Sequence, residues 1–297
     1  MAIRNRQTIK PPAFAAKSAN HWQYFIFAAS AIRVWLVCMG IEKKRTYFAS
    51  DFHLGIDARL SSAERERQLV RWLDQISKDA EALYLVGDVF DFWFEYRTVV
   101  PKGYTRLLGK LAALRDGGLP IYFFTGNHDM WIFRYFEEEL GIPTYRKPIV
   151  RELHGKTFFI GHGDGLGPGD HGYKFIKKVF ANKVCQWLFS RLHPNFAIGM
   201  ANFWSGRSRA ANPEAQHFLG EDKEWLLLYA NRKLETVEAD FFIFGHRHLP
   251  IDCVLKNQKS RYINLGEWMH YNSYAVFDGE TLRLEFFENE NGQVFGK

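Results

Sequence analysis

The sequence predicts a layered α/β fold, on two observations. From Lys44 onward, short apolar runs that suit buried strands alternate with amphipathic stretches at helical spacing. The chain has 297 residues, of which 47% are apolar, and this is enough to bury a large core. We therefore expect one sizeable domain, either alone or with an inserted cap.

The N-terminal part of this region alternates strands with helices. Strands are predicted at residues 47–50, 83–86 and 121–125. Ser61, with Glu64 three positions later, predicts a capping box at the start of the first helix. That helix has an apolar face formed by Leu69, Val70, Leu73 and Ile76. A second helix is expected around residues 104–115, ending at Gly117 and Gly118.

The C-terminal part is predicted to be rich in strands. Residues 149–153 and 156–160 flank His154 and Gly155 and should pair as a β-hairpin. Another strand is expected at residues 241–244. The tail alternates apolar and polar residues as antiparallel strands do, at residues 261–265, 274–277 and 281–287.

Between residues 172 and 230 the pattern changes to helix-like segments without a strand. Aromatic and aliphatic residues recur at helical spacing, namely Phe175, Ile176, Val179, Phe180, Val184, Trp187 and Leu188. Lysines lie between them. The pattern fits an ordinary packed helix with a solvated basic face, and it equally fits a cap inserted over an active site.

Residues 1–40 precede the first predicted strand. A basic stretch is followed by a largely apolar run, which is compatible with a signal peptide or a membrane anchor. However, Arg33 lies in the middle of that run, where a charge costs at least about 2.5 kcal/mol at the bilayer centre. We expect a dispensable extension, with a functional chain that begins near Met39 and a domain at residues 41–297. A peripheral anchor is the alternative.

The net charge indicates the class of binding partner, and the cysteine content indicates the cellular compartment. The formal charge of +6 and the 16% aromatic content favour anionic partners, such as nucleotides, lipid headgroups or nucleic acid. The three cysteines are an odd number and form no CxxC pair. A disulfide framework is therefore not expected. The cysteine content fits a protein of the reducing cytoplasm.

Polar motifs follow the predicted strands, at the positions where α/β folds place ligands and catalytic groups. They are SDFH (Asp51, His53), GDVFD (Asp88), GNHD (Asn127, His128, Asp129), GHGD (His162) and GHRH (His246, His248). Each motif alone is compatible with an ordinary turn. Five of them in this order, each closing an apolar run, indicate a common site.

The chemistry of these side chains suits metal ions. Carboxylate, imidazole and carboxamide ligands without a thiolate favour manganese, iron or zinc. Seven candidate ligands are too many for one tetrahedral ion, and they divide naturally between two ions about 3.5–4 Å apart. Two adjacent dications lower the pKa of a shared water and offset negative charge on phosphoryl oxygens. These properties suit hydrolysis of a phosphate ester or anhydride.

Over residues 44–288 these motifs resemble the calcineurin-like metallophosphoesterase superfamily. The resemblance implies a four-layer αββα sandwich with a helical cap insertion, and two divalent ions, with manganese expected and iron or zinc as alternatives. One ion would be held by Asp51, His53, Asp88 and His248, and the other by Asp88, Asn127, His162 and His246. His128 would contact the phosphoryl group and assist the leaving oxygen, and Asp129 would orient His128.

Two segments, GDVFDFWFE and HGDGLGPGDHGY, are similar to the UDP-2,3-diacylglucosamine diphosphatase family of lipid A synthesis. This likeness implies cleavage of a nucleotide diphospho-lipid to UMP and 2,3-diacylglucosamine 1-phosphate, by a cytoplasmic protein peripheral at the inner membrane. The cap would receive the acyl chains. Candidate substrate contacts are Asp170, Tyr173, Ser205, Arg207, Ser208 and Lys223, and Asp164 is expected to contact a metal ligand.

One residue departs from the best-known proteobacterial branch of that family, which has arginine after the motif asparagine. Here the position is His128, as in the wider superfamily. A general phosphatase or a nuclease on the same core therefore stays open, although nucleic acid is not the expected partner. A scaffold without activity is a third reading, disfavoured because no expected ligand position is substituted. An apolar chamber beside the metals would indicate a lipid substrate, and an open polar trough would indicate nucleic acid.

Overall fold

The computed structural model describes residues 45–167, 171–210 and 217–296. The strands in these ranges are β1 Arg45–Ala49, β2 Ala80–Val86, β3 Ile121–Phe124, β4 Thr144–Tyr145, β5 Ile149–Leu153, β6 Lys156–Ile160, β7 Phe241–Phe244, β8 Pro250–Val254, β9 Arg261–Leu265, β10 Ser273–Phe277 and β11 Leu282–Phe286. The helices are α1 Ser62–Ile76, α2 Thr105–Asp116, α3 Tyr135–Leu140, α4 His171–Ala181, α5 Lys183–Phe189, α6 Pro194–Ala210 and α7 Trp225–Lys233. None of these helices combines the length and the apolar composition that a bilayer crossing requires.

The strands form two sheets. The order in the first is β11-β10-β1-β2-β3-β4, and the order in the second is β5-β6-β7-β9-β8. Strands β1 to β4 are parallel in the first sheet, and β6, β7 and β9 are parallel in the second. Parallel strands end at the same edge of a sheet, so the loops that follow them are brought together there.

Alternating side chains of the strands divide the core into layers. In β2, Leu83 and Leu85 pack with apolar residues of α1, α2 and α3. The intervening Tyr84 and Val86 pack against residues of the second sheet, such as Phe158. On the far side of the second sheet, α7 covers another apolar cluster. The order helix, sheet, sheet, helix confirms the predicted four-layer αββα sandwich.

Two local predictions are confirmed in detail. The Ser61 side chain accepts a hydrogen bond from the Glu64 amide, and the Glu64 carboxylate accepts one from the Ser61 amide (3.3 and 3.0 Å), so the capping box is present. Strands β5 and β6 pair in antiparallel register as a hairpin. Its two turn residues, His154 and Gly155, both have positive φ, as a two-residue type I′ turn requires.

Other elements differ from the expectation. Strands β4 and β8 and the short helix α3 were not predicted, since each is brief and lacks a clear apolar period. Strand β8 begins at Pro250 and lies at the edge of its sheet, where a proline without an N–H is tolerated. Strand β9 is antiparallel to β8 but parallel to β7, so the expectation of antiparallel pairing holds on one side only. Alternation shows which face is buried, but it does not show the direction of the neighbouring strand.

Residues 172–230 are helical wherever the structure describes them, apart from short connections. Helices α4 and α5 contact the body through Phe180 and Phe189, whose rings lie 5.3 and 4.7 Å from that of Trp131. Helix α7 differs, because Leu226 and Leu227 are buried in the core of the second sheet. The C-terminal end of the range thus packs within the body, and the cap boundary stays a prediction. The expected extension, residues 1–40, lies outside the described residues.

Many apolar side chains of α4, α5 and α6 are exposed, which an ordinary packed helix does not explain. They are Phe175, Ile176, Val179, Val184, Trp187, Leu188, Phe196 and Phe203. The exposed fraction reaches 68% for Phe175 and 61% for Phe196. Soluble proteins rarely expose large contiguous apolar patches unless these contact another molecule. We refer to these eight residues as the exposed apolar surface.

Candidate metal centre

The predicted ligands lie in loops at the carboxyl ends of five parallel strands. These strands are β1, β2 and β3 in the first sheet and β6 and β7 in the second. The side chains form two groups whose candidate ligand atoms lie within 4.8 Å of one another: Asp51, His53, Asp88 and His248 in one, and Asp88, His162 and His246 in the other. Asp88 belongs to both groups, as expected of a carboxylate that bridges two ions.

Five of these residues have an uncommon backbone conformation. Asp51, His53, Asp88, His246 and His248 have φ values between 44° and 66°. Residues other than glycine seldom adopt positive φ, and each such residue costs on the order of 1–3 kcal/mol. Strain of this kind persists only where the surrounding structure holds it. The ligand loops are therefore positioned by contacts outside the ligands themselves.

Distances within the groups are short. The Nε2 atoms of His53 and His248 lie 3.1 Å apart, and His248 Nε2 lies 3.2 Å from Asp51 Oδ1. In the other group, His162 Nε2 lies 3.1 Å from Asp88 Oδ2. His162 Nδ1 donates a hydrogen bond to the carbonyl oxygen of Val86 (2.8 Å), which fixes the ring and directs Nε2 at the carboxylate.

The charge balance of the pocket favours bound cations. Burial lowers the pKa of His53, but the neighbouring carboxylates of Asp51, Asp91 and Asp88 together outweigh burial and raise that pKa to about 10. Burial likewise opposes the charge on His162, and Asp88 raises its pKa to about 10. Protons on these imidazoles satisfy the carboxylates in the absence of a metal. Divalent cations compete for the same places, because ligation requires the imidazole to be deprotonated.

Asn127 is the remaining candidate ligand and follows β3. Its Oδ1 atom is buried and forms no hydrogen bond within the described part of the chain. A buried acceptor without a partner costs about 1–3 kcal/mol, and a cation would remove this cost. Together with the clustered carboxylates and imidazoles, this oxygen shows that the residues present fit a pair of divalent ions.

His128 lies beside the first group and is 19% exposed, so a substrate can reach it. Its ring meets that of His53 edge to face, with centroids 4.9 Å apart. Its Nδ1 lies 2.8 Å from the carbonyl oxygen of Asp91 and 3.6 Å from the Asp91 carboxylate. A carbonyl oxygen can only accept, so Nδ1 carries a proton, and any proton exchange with a substrate would run through Nε2.

The Asp129 carboxylate contacts main-chain amides, and its role in orienting His128 stays a prediction. Its carboxylate accepts hydrogen bonds from the amides of Gly126 and Val89, at 2.7 and 2.8 Å, and so joins the loops after β2 and β3. Asp91 contacts the His128 ring directly and also lies 3.3 Å from His53 Nδ1. In the sequence, Asp91 is the second aspartate of the GDVFD motif, three positions after Asp88.

The candidate substrate contacts are described only in part. The Tyr173 hydroxyl donates to Asp164 Oδ2 at 2.8 Å, and Lys177 Nζ lies 2.5 Å from the same oxygen. Asp164 is buried two positions after His162, and its expected contact with a metal ligand stays a prediction. Lys223 is exposed in the turn before α7. Asp170 lies outside the described residues, and Ser205, Arg207 and Ser208 lie in α6 where side chains are not described.

A buried arginine that was not predicted supports the first ligand loop. Arg65, in α1, is fully buried and donates hydrogen bonds to the carbonyl oxygens of Phe52, His53, Ile56 and Leu60, at 2.9, 2.7, 2.6 and 3.3 Å. A signal was present in the sequence, since Arg65 is four residues before Leu69 on the apolar face of the helix.

Replacing Arg65 with methionine should lower the free energy of unfolding by at least about 3 kcal/mol, because several buried carbonyl oxygens lose their donor at about 1–3 kcal/mol each. Urea unfolding measures the change. The matched control is Arg67→Met, since Arg67 is exposed on the same helix. An equal effect of the two substitutions would contradict the structural role of Arg65.

Comparison with known proteins agrees with this geometry. The sequence matches the model of the family described as calcineurin-like phosphoesterase over residues 44–250. A protein named UDP-2,3-diacylglucosamine hydrolase from Porphyromonas gingivalis is 41% identical over 261 residues, which are 83% of this chain and 99% of that protein. Proteins of the same name from Aeromonas salmonicida and Aeromonas hydrophila are 31% and 30% identical over 242 residues. These alignments cover 81% of this chain and 92% and 97% of the two relatives.

Proposed function

The chain belongs to the calcineurin-like phosphoesterase family, and from this premise we propose that it hydrolyses the diphosphate of UDP-2,3-diacylglucosamine to UMP and 2,3-diacylglucosamine 1-phosphate. The observation that carries the proposal is the pair of ligand groups sharing Asp88. The reaction itself is proposed from the relatives named UDP-2,3-diacylglucosamine hydrolase, which this chain matches at up to 41% identity among those compared.

The proposed cofactor is two divalent ions per chain, with manganese as the metal. Asp51, His53, Asp88 and His248 would hold one ion, and Asp88, Asn127, His162 and His246 the other. When bound, the ions would polarise the phosphoryl oxygens and lower the pKa of a water molecule. The chain contributes the fixed positions of these ligands, including the His246 amide, which donates to the Asp51 carboxylate.

His128 is proposed to support the leaving phosphate. Burial lowers the pKa of this imidazole, so without a substrate the neutral form is favoured. A diphosphate bound beside it would raise the pKa again, because a nearby negative charge favours the imidazolium. Positive charge and a proton on Nε2 would then be present where the leaving oxygen becomes negative, and the Asp91 carbonyl would hold the ring in place.

The lipid part of the substrate is proposed to lie at the exposed apolar surface. Helix α4 carries three of its residues and is joined to Asp164 by Tyr173 and Lys177, so apolar side chains begin close to the His162 loop. Exposed lysines on the same helices, such as Lys178 and Lys183, suit anionic headgroups. This combination supports a cytoplasmic protein peripheral at the inner membrane.

The test compares substrates. Purified protein with manganese should cleave UDP-2,3-diacylglucosamine far faster than p-nitrophenyl phosphate, single-stranded DNA or an unacylated UDP-sugar. Each methylene lost from a buried acyl chain should lower kcat/KM about fourfold, since burial of a methylene contributes about 0.8 kcal/mol. Equal kcat/KM for acylated and unacylated substrates would contradict the lipid substrate but not the metal centre. Faster cleavage of DNA would indicate a nuclease.

A surface variant locates the acyl chains. Trp187→Ser should raise KM for the acylated substrate and leave the rate with p-nitrophenyl phosphate unchanged. Val254→Ser is the matched control, because Val254 is an exposed apolar residue on β8 of the second sheet. Equal effects of the two variants would contradict the proposed position of the lipid.

A further inference from the structure

Glu224 and Arg247 form a buried ion pair beside the candidate metal centre. Arg247 lies between His246 and His248, and Glu224 is the residue immediately before α7. Arg247 Nε and Nη2 donate to the two carboxylate oxygens of Glu224 at 2.9 and 3.0 Å, and the two side chains are 4% and 0% exposed. Such a bidentate contact fixes the relative orientation of the two side chains as well as their distance.

The pair also holds the main chain at residues 217–219, a few residues before α7. Arg247 Nη2 donates to the carbonyl oxygen of His217, and Glu224 Oε1 accepts a hydrogen bond from the Leu219 amide at 2.9 Å. The next residue, Trp225, meets the ring of His246 edge to face, with centroids 5.5 Å apart. The stretch from 217 to 225 thus contacts two consecutive residues of the last ligand loop.

The other end of the helical segment is fastened in a similar way. Tyr173 and Lys177 of α4 bind Asp164, which follows His162 by two positions. Both ends of the segment are therefore attached to loops that carry His162 and His246, two members of one ligand group. The loop of Asp51 and His53, in the other group, is held from α1 by Arg65 instead.

We propose that Glu224 and Arg247 are positioning residues that couple the helical segment, described at residues 171–210 and 217–225, to the metal position formed by Asp88, Asn127, His162 and His246. The inference rests on the proposed two-metal centre. Its physical basis is the positive φ of His246, a strained conformation that needs outside support. A buried ion pair adds little net stability, but breaking one partner frees the loop that it holds. Coupling of this kind is reciprocal, so the metal should also order the segment.

The test is the Glu224→Gln variant, which keeps the size of the side chain and removes its charge. Manganese titration followed by elemental analysis should show two ions in the wild type. In Glu224→Gln the affinity of the position formed with His162 and His246 should fall about 10–100-fold, the usual effect of losing a group that supports a ligand. The other position should weaken less, because it shares His248 with the Arg247 loop but keeps Asp51 and His53 on the loop that Arg65 holds. Asp252→Asn is the matched control, because Asp252 is a buried carboxylate bound by Arg261 on the same sheet (Arg261 Nε at 3.0 Å).

Hydrogen exchange supplies a readout that a general loss of stability does not reproduce. Manganese should slow amide exchange in α4 of the wild type, and this protection should disappear in Glu224→Gln but persist in Asp252→Asn. If Glu224→Gln does not fold, Arg247→Lys replaces it in the test. This variant keeps the positive charge and loses the bidentate contact, and we expect the same changes in metal affinity and hydrogen exchange. Equal weakening of both metal positions, or the same changes in Asp252→Asn, would overturn the coupling. A wild type that takes up no metal would instead overturn the proposed function.

Discussion

Replacing Asp88 with alanine should lower phosphohydrolase activity by more than about 10³-fold, because loss of even one group that stabilises transition-state charge costs about 10²–10³. Asp88 belongs to both ligand groups, so its removal affects both proposed ions. Elemental analysis should find the metal content reduced from two ions to below one per chain. The fold should survive, since the side chain lies in a loop after β2 and not in an apolar cluster.

The control for this experiment is Asp116→Ala, a substitution of an exposed carboxylate at the end of α2. It should leave activity and metal content unchanged. Asp79 is a poor control, because its carboxylate accepts a hydrogen bond from the Tyr47 hydroxyl and pairs with Arg45. Full activity of metal-free wild type in the presence of a chelator would contradict the two-metal proposal.

Replacing His128 with alanine should lower kcat by about 10²–10⁴-fold while both ions remain bound. The reason is that His128 lies beside the ligand groups and faces Asp91, so its loss removes a proton donor and a developing positive charge, but no proposed ligand. Steady-state kinetics and elemental analysis of the same preparation separate the two effects.

A comparison with His162→Ala makes the prediction specific. His162 lies 3.1 Å from Asp88, and its replacement should lower metal content together with activity. Asp91→Asn should lower kcat by less than His128→Ala, since the main-chain contact to the ring remains. If His128→Ala and His162→Ala lost metal to the same extent, the proposed roles of the two histidines would be wrong.

The fold and the ligand groups were predictable from the sequence because their signals are local. Each apolar run ends in a polar motif, and parallel strands bring such ends to one edge without further information. The sharing of Asp88 between two groups followed from the resemblance of the motifs to a known signature, and the structure brings those side chains together.

The supporting contacts were not predictable, because their partners are distant in the chain. Arg247 is visible inside the last motif, but nothing near it indicates that Glu224, 23 positions earlier, is its partner. The contact of the Asp129 carboxylate with the amide of Val89, 40 positions earlier, was also not indicated by its motif. The direction of β9 relative to β7 likewise depends on tertiary pairing.

The left-handed backbone at five of the predicted ligands restricts which metals a redesigned centre could select. Aspartate, asparagine and histidine are the residues besides glycine that tolerate this conformation best, and all three coordinate borderline or hard cations. Cysteine, which would favour softer metals, brings no such tolerance. Replacing His53 or His248 with cysteine would therefore strain the main chain at a positive φ as well as change the coordination sphere. The chain geometry itself thus favours oxygen and nitrogen donors.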